Sequence, residues 1–293
     1  MVDSPGFRGG ADEPVGAALA RWRKQKKISG QVLGDRVGMS QAKISRLETG
    51  VSAADPQDIR RIAEGLELPA TEVERLVTLA DRSSDQLVDW QSTEPGLANR
   101  QHYVRKFEAS ARDTRVFQSA VVPGLVQTSE YARAVLTALR TELADDQVAD
   151  SPLAVSEAVS ARMQRSQALD DPHRRFHFLL TEAVLGHQMC GPAEMLAQIA
   201  RLREVAGQPN VSIRIIPEDA EWPIAPYHGF LLLDDRVVIV DLFNTGLMSR
   251  GRRTARHYRR VFDALDSIAT SEIDPILDLC QKRYIGMLPH TAA

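Results

Sequence analysis

Residues 32–50 read VLGDRVGMSQAKISRLETG, two short amphipathic segments separated by Gly38-Met39-Ser40. Glycine just past a helix end takes the left-handed conformation that turns the chain sharply. A serine shortly after it is placed to cap the next helix. The pattern therefore predicts a helix ending near Val37, a tight turn, and a second helix over 41–49. Ser40 is its N-cap, Ile44 and Leu47 point inward, and Gly50 closes it. Ser29 stands where it can cap the first helix, whose expected inner face is Val32, Leu33 and Val37.

Working outward, Val15, Ala18, Leu19 and Trp22 recur at i, i+3, i+4 and i+7, the stripe of an amphipathic helix. Pro14 suits its start, because a first-turn N–H has no intrahelical partner. Ile59, Ile62, Ala63 and Leu66 mark a fourth helix over 55–66, and Val73, Leu76, Val77 and Ala80 a fifth begun at 69–71. Five short helices with a glycine turn between the second and third describe a helix-turn-helix domain over 14–82. The polar, Gly/Pro-rich residues 1–13 are expected to be a disordered tail, and 83–96 a linker. The 15–50 segment carries Arg21, Arg23, Lys24, Lys26, Lys27, Arg36, Lys43 and Arg46 against Asp35 and Glu48, a net of +6 in a chain of net charge −3. A basic module on an acidic body suggests that one end meets a polyanion.

The spacing of Ser40, Gln41, Ile44, Ser45, Leu47, Glu48 and Gly50 resembles the XRE (Cro/repressor-like) family. The resemblance implies that the third helix enters the major groove with its N-terminal side chains toward the base edges. Gln41, Ala42, Ser45 and Arg46 then share or border the face opposite Ile44 and Leu47. Gln41 suits adenine, while Lys43 and Arg46 suit guanine or phosphate. Ser40, Ser45 and Thr49 are expected to hold phosphates and fix register, with Arg36 and Arg60 as further phosphate contacts. Glu48 is expected to orient Arg46 or cap a neighbouring helix. Gly30 stands where many members carry glutamine, and Gly34 where alanine is usual. One such domain covers half of an operator, so a homodimer on double-stranded DNA is expected.

Beyond residue 97 strands and helices mix without a repeating βαβ rhythm, which predicts a larger α+β domain over 97–290. Strands are expected at 115–122, 175–181, 211–216, 229–233 and 237–242, the last two forming a hairpin across Asp234-Asp235-Arg236. Helices are expected from 97 to about 113, then over 129–139 with Ser129 as cap, 153–169, 192–206, 252–269 and 275–286. The order of Trp90, Phe107-Glu108-Ala109, VVPGLVQTSEYARAVL (121–136), ARMQRSQAL (161–169), FLLTEAVL (178–185), PNVSIRIIP (209–217) and GFLLLD (229–234) is similar to an uncharacterised domain that follows XRE domains in actinobacterial regulators. That resemblance implies an antitoxin-like transcriptional regulator whose C-terminal domain holds a small partner protein.

Within Pro123-Gly124-Leu125-Val126-Gln127-Thr128, continued to Tyr131, the backbone turn and side-chain amide and hydroxyl suit either a partner or ligand pocket or a structural turn and cap. Glu182 is expected to pair with Arg162 or Arg165. His173, His177, His187 and Cys190 lack the paired spacing of a metal site, and neither a nucleophile elbow nor a phosphate-cradling glycine loop is present. No catalytic residue, metal or cofactor is therefore expected. Arg250, Arg252, Arg253, Arg256, Arg259 and Arg260 with His257 form a second basic cluster, suited to flanking DNA, an acidic partner or the body's own acidic surface. Two cysteines and no apolar run of about 18 residues fit a cytoplasmic protein without a membrane segment. A small-molecule effector remains the alternative to the protein partner.

Overall fold

The computed structural model describes residues 13–50, 54–84, 87–89, 97–143, 152–243 and 245–289. Residues 1–12 of the expected tail and residues 85, 86 and 90–96 of the expected linker, Trp90 included, lie outside these. The chain divides into two compact units, 1–86 and 87–293.

The first unit is five helices: α1 (Val15–Gln25), α2 (Gly30–Val37), α3 (Gln41–Glu48), α4 (Pro56–Gly65) and α5 (Ala70–Ser84). Their inward stripes meet in one core of Leu19, Leu33, Ile44, Ile59, Ile62 and Leu76, each at most 1% exposed. Ser29, Ser40 and Asp55 cap α2, α3 and α4 by accepting hydrogen bonds from Val32, Lys43 and Gln57 amides. Gly38 takes φ 65°, the left-handed turn that the sequence demands between α2 and α3. Two expectations are corrected. Val32 is 45% exposed, because Leu33 and Val37 alone fill the inner stripe of so short a helix. Glu13, assigned to the tail, accepts two hydrogen bonds from Arg21 at 3.0 Å.

The second unit is a seven-stranded mixed sheet with helices on both faces. Its strands are β1 (Val88–Asp89), β2 (Asp113–Gln118), β3 (Arg175–Thr181), β4 (Val211–Ile216), β5 (Phe230–Leu233), β6 (Val237–Asp241) and β7 (Gly246–Ser249), in the order β1-β7-β6-β5-β2-β3-β4. β2, β3 and β4 run parallel, and the other neighbours are antiparallel. The helices are α6 (Leu97–Glu108), α7 (Ser129–Leu143), α8 (Pro152–Ser166), α9 (Ala183–Gly186), α10 (Pro192–Ala206), α11 (Arg252–Asp266) and α12 (Asp274–Gly286). Two helices lie in each crossover of the parallel strands, which hides the βαβ rhythm in the linear pattern. The strand period of two turns Val116, Phe178, Leu180 and Ile215 toward α10 and α12. Phe117, Leu179 and Ile216 turn toward α11.

The second strand begins at Asp113 and ends at Gln118 rather than spanning 115–122, because residues 119–123 turn away before the Gly124–Val126 3-10 turn. The helix beginning at 97 accordingly stops at Glu108, and the one beginning at Arg252 stops at Asp266. Helix α8 gives way to a 3-10 turn over Gln167–Asp170. Val88–Asp89, inside the expected linker, pairs with Met248 and Leu247 of β7, a strand absent from the expectation. Thr128 rather than Ser129 receives the first-turn hydrogen bond of α7, from the Tyr131 amide at 3.3 Å.

Candidate nucleic-acid interface

Helix α3 is held from two sides. From α1, Arg23 Nε and Nη2 donate to Glu48 Oε1 and Oε2 at 2.6 and 2.7 Å, and Nη1 donates to the Ile28 carbonyl at 2.9 Å. The two paired side chains are only 17% and 10% exposed. From α4, Arg61 Nη2 donates to the Val37 carbonyl at 2.6 Å, satisfying a C-terminal carbonyl of α2 at the turn that launches α3. Gly34 sits so close to this turn that an added Cβ would lie 2.4 Å from the Met39 carbonyl oxygen. The packing is therefore tighter than alanine permits.

With Ile44 and Leu47 buried, Gln41, Ala42, Ser45, Arg46 and Thr49 form the exposed face of α3, beside exposed Ser40. Thr49 Oγ1 donates to the Ser45 carbonyl at 2.9 Å, and Gln41 lies over Gly30. Arg46 is exposed and has no ion-pair partner among the described residues, so its guanidinium is open to a ligand. Lys43 instead pairs with Asp58 of α4 at 2.6 Å, and Arg60 with Glu74 at 2.6 Å. Hydrogen bonding to Glu74 raises the Arg60 pKa further above its ordinary value, and the same bond lowers that of Glu74. Arg36 is exposed, its Nη1 3.4 Å from the Gly65 carbonyl. Glu48, expected to orient Arg46 or cap a neighbouring helix, faces Arg23 instead. The placement of α1 against the end of α3 decides this, and no spacing within α3 encodes it. Arg23 and Arg61 are the residues that sequence reasoning missed; both act across helices, and neither has a local signature.

The 123–131 motif of the second unit is turned inward. Gln127 is 3% exposed; its Nε2 donates to the Val122 carbonyl at 2.6 Å, and its Oε1 accepts from Arg162 Nη1 at 2.7 Å. The Thr128 amide donates to Gln198 Oε1 at 2.8 Å, and Gln198 Nε2 returns a bond to the Val126 carbonyl at 2.8 Å. Tyr131 is fully buried and its hydroxyl accepts from the Val122 amide at 3.2 Å. Burial pushes that hydroxyl's pKa up to about 12. Leu125 packs in the same core, Pro123 precedes the 3-10 turn, and Gly124 lies under the Arg162 side chain. The polar groups named here hydrogen-bond to one another within the unit.

Glu182 pairs with neither expected arginine. Arg165 forms a buried pair with Glu108 at 2.7 Å, Arg162 bonds Gln127 and Gln101, and Glu182 Oε2 accepts from the Glu218 amide at 3.1 Å. The β4 crossover brings residue 218 to residue 182, a proximity invisible along the chain. No group of three His, Cys, Asp or Glu side chains suited to a metal occurs among the described residues, nor does a helix long and apolar enough to cross a membrane.

Comparison with known proteins gives two family matches. A helix-turn-helix domain matches residues 14–76, and a domain of unknown function, DUF5753, matches residues 101–276. No curated protein matches the chain. Among solved structures, TrmBL2, an archaeal chromatin protein with a novel mode of DNA binding, is similar at 14% identity with a TM-score of 0.30. The match covers 72% of this chain and 65% of that one. Since the larger match takes in more than half of the chain, the protein belongs to the DUF5753 family, its domain of that type preceded in sequence by a helix-turn-helix domain.

Proposed function

We propose that this protein is a sequence-specific transcriptional regulator without catalytic activity. The helix-turn-helix unit reads operator DNA as a homodimer, and the C-terminal domain serves regulation and assembly by binding a small partner protein in antitoxin fashion. The observation that carries the DNA-reading part is the exposed Gln41, Ala42, Ser45, Arg46 and Thr49 face of α3, on a helix anchored by Arg23 and Arg61. Five exposed cations of the basic segment, Lys24, Lys26, Lys27, Arg36 and Arg46, make no ion pair among the described residues and are available for phosphate. Neutralising phosphates releases counterions, so affinity falls steeply with salt.

The test is selection of a binding site from random duplexes, followed by fluorescence anisotropy with Arg46→Ala. A loss of about 1–3 kcal/mol with relaxed preference at one base position marks base readout, whereas a uniform loss with a shallower salt slope marks phosphate contact. Unchanged affinity for selected and random DNA removes Arg46 from the interface. A second reading, a ligand-responsive regulator, has one observation in its favour, an open arginine-lined hollow on α11.

A further inference from the structure

The outer side of α11 presents Arg253, Arg256, Arg259 and Arg260, which with Asp235 of the β5–β6 turn line an open hollow of about 460 Å³. Ligand clefts span about 300–1,000 Å³. The opposite side of the helix is seated firmly, with Ala255, Phe262 and Leu265 buried against the sheet. Positions 253, 256 and 260 recur at i, i+3 and i+7, so their side chains rise from one helical face.

The turn facing them is shaped for an acid. Asp234 and Asp235 both adopt left-handed backbone, φ 49° and 52°, and Asp234 Oδ1 accepts from the Arg112 and Asp113 amides at 2.9 Å. That anchorage holds Asp235 at the rim, where its carboxylate accepts from Arg259 Nη1 at 2.9 and 3.3 Å. Arg259 also bonds Asp263, at 2.9 and 3.1 Å. Arg256 Nε donates to the Arg252 carbonyl, at 3.3 Å, and neither Arg256 nor Arg260 has an ion pair among the described residues. Four guanidinium groups thus line the hollow: Arg259 is answered by Asp235 and Asp263, while Arg256 and Arg260 make no ion pair among the described residues.

We propose that this hollow is a binding site for a phosphate-bearing anion, in which the Asp235 carboxylate on Arg259 marks one oxyanion position and Arg256 and Arg260 supply the others. Guanidinium forks bind phosphate oxygens bidentately, and a diphosphate brings negative charge to the Arg256 and Arg260 guanidinium groups. A free polyphosphate ligand and the backbone of bound DNA share this chemistry. The site shares no residue with α3, so its failure and the failure of operator reading are separately observable.

The experiment titrates inorganic pyrophosphate into the full-length protein by calorimetry, beside the Arg256→Ala/Arg260→Ala double variant. Both side chains are exposed, so the variant should keep the thermal midpoint of the parent. Expected is saturable binding and a raised melting temperature in the parent, with binding at least about tenfold weaker in the variant, given the strength of charge-assisted hydrogen bonds. A parallel titration with a random 20-base-pair duplex separates the sources. If pyrophosphate does not bind but duplex affinity drops in the variant with a shallower salt slope, the phosphate belongs to DNA and the site stands. Pyrophosphate binding that the double variant leaves unchanged, or no effect of the variant on either probe, overturns the proposal.

Discussion

Replacing Glu48 by glutamine tests whether this acid serves the fold or the DNA. The substitution keeps the volume but removes the charge, and turns an amide NH₂ toward a guanidinium that has nothing to accept it. Of the two charge-assisted hydrogen bonds, at 2.6 and 2.7 Å between side chains 17% and 10% exposed, one is lost and the other is left with a neutral acceptor. Hydrogen bonds to charged groups contribute about 1.5–3 kcal/mol, and breaking a fully buried pair costs about 3–5 kcal/mol. Arg23 keeps its bond to the Ile28 carbonyl and some access to water, so the expected loss is about 2 kcal/mol. That corresponds to a roughly 30-fold increase in the opening equilibrium of the helical unit. Hydrogen exchange by mass spectrometry over peptides from α1 to α3 reads this locally, without requiring the whole chain to unfold in two states. Arg23→Ala should cause a similar loss, and the double variant should be little worse than either single one, a coupling of about 1–2 kcal/mol. Operator affinity, measured where all variants are folded, should change less than about threefold, since about 1.4 kcal/mol is tenfold. Unchanged exchange together with a tenfold loss of affinity would refute the argument and return Glu48 to the DNA contact.

Gly34→Ala should destabilise the helical unit by about 1–3 kcal/mol, because overpacking against the Met39 carbonyl outweighs the gain in helix propensity. Gly30→Ala, whose Cβ would meet Gln41 Cγ at an ordinary 3.5 Å, should be neutral or stabilising; thermal melts that rank the pair the other way overturn the reading. Gln127→Leu strands the Val122 carbonyl and one Arg162 bond in the core, and should cost about 2–3 kcal/mol in urea unfolding. A fully stable Gln127→Leu protein that loses a binding partner would instead make the motif a contact surface. Burial, helped by Arg115, holds the His177 imidazole below its ordinary value of 6.5 against the pull of Asp113. Below pH 6.5 the unfolded chain therefore takes up this proton more readily than the folded one, and stability is lost as pH falls. Between pH 7.5 and 5 the melting temperature of His177→Gln should fall less than that of the parent, and an equal or steeper fall would remove His177 from the acid response.

The N-terminal unit was largely legible in the sequence because its signals are local. A cap needs a side chain within three residues of its amide, Gly38 needs only its own φ, and an amphipathic stripe repeats within a turn. The same holds for β3 and β4, whose bounds match the pattern residue for residue. The strand β1 escaped because two residues are too few to show a period, and β7 because Gly-Leu-Met-Ser carries no β-branched or aromatic residue. The exposed face of α3 followed from the burial of Ile44 and Leu47, but which of its cations stays open did not.

In the first unit, sequence by itself therefore determined the helices, the Ser29 and Ser40 caps, the left-handed turn and the residues that α3 turns outward. Tertiary structure alone decided that Lys43 and Arg60 are engaged by Asp58 and Glu74 while Arg46 is not, and that Glu48 answers Arg23. It also turned the polar groups of Gln127 and Thr128 into the core and set Asp235 opposite the arginines of α11. The physical reason is range. Backbone conformation responds to neighbours within about four positions, whereas an ion pair forms between whatever charges the packing brings within reach, here as far apart as Glu108 and Arg165.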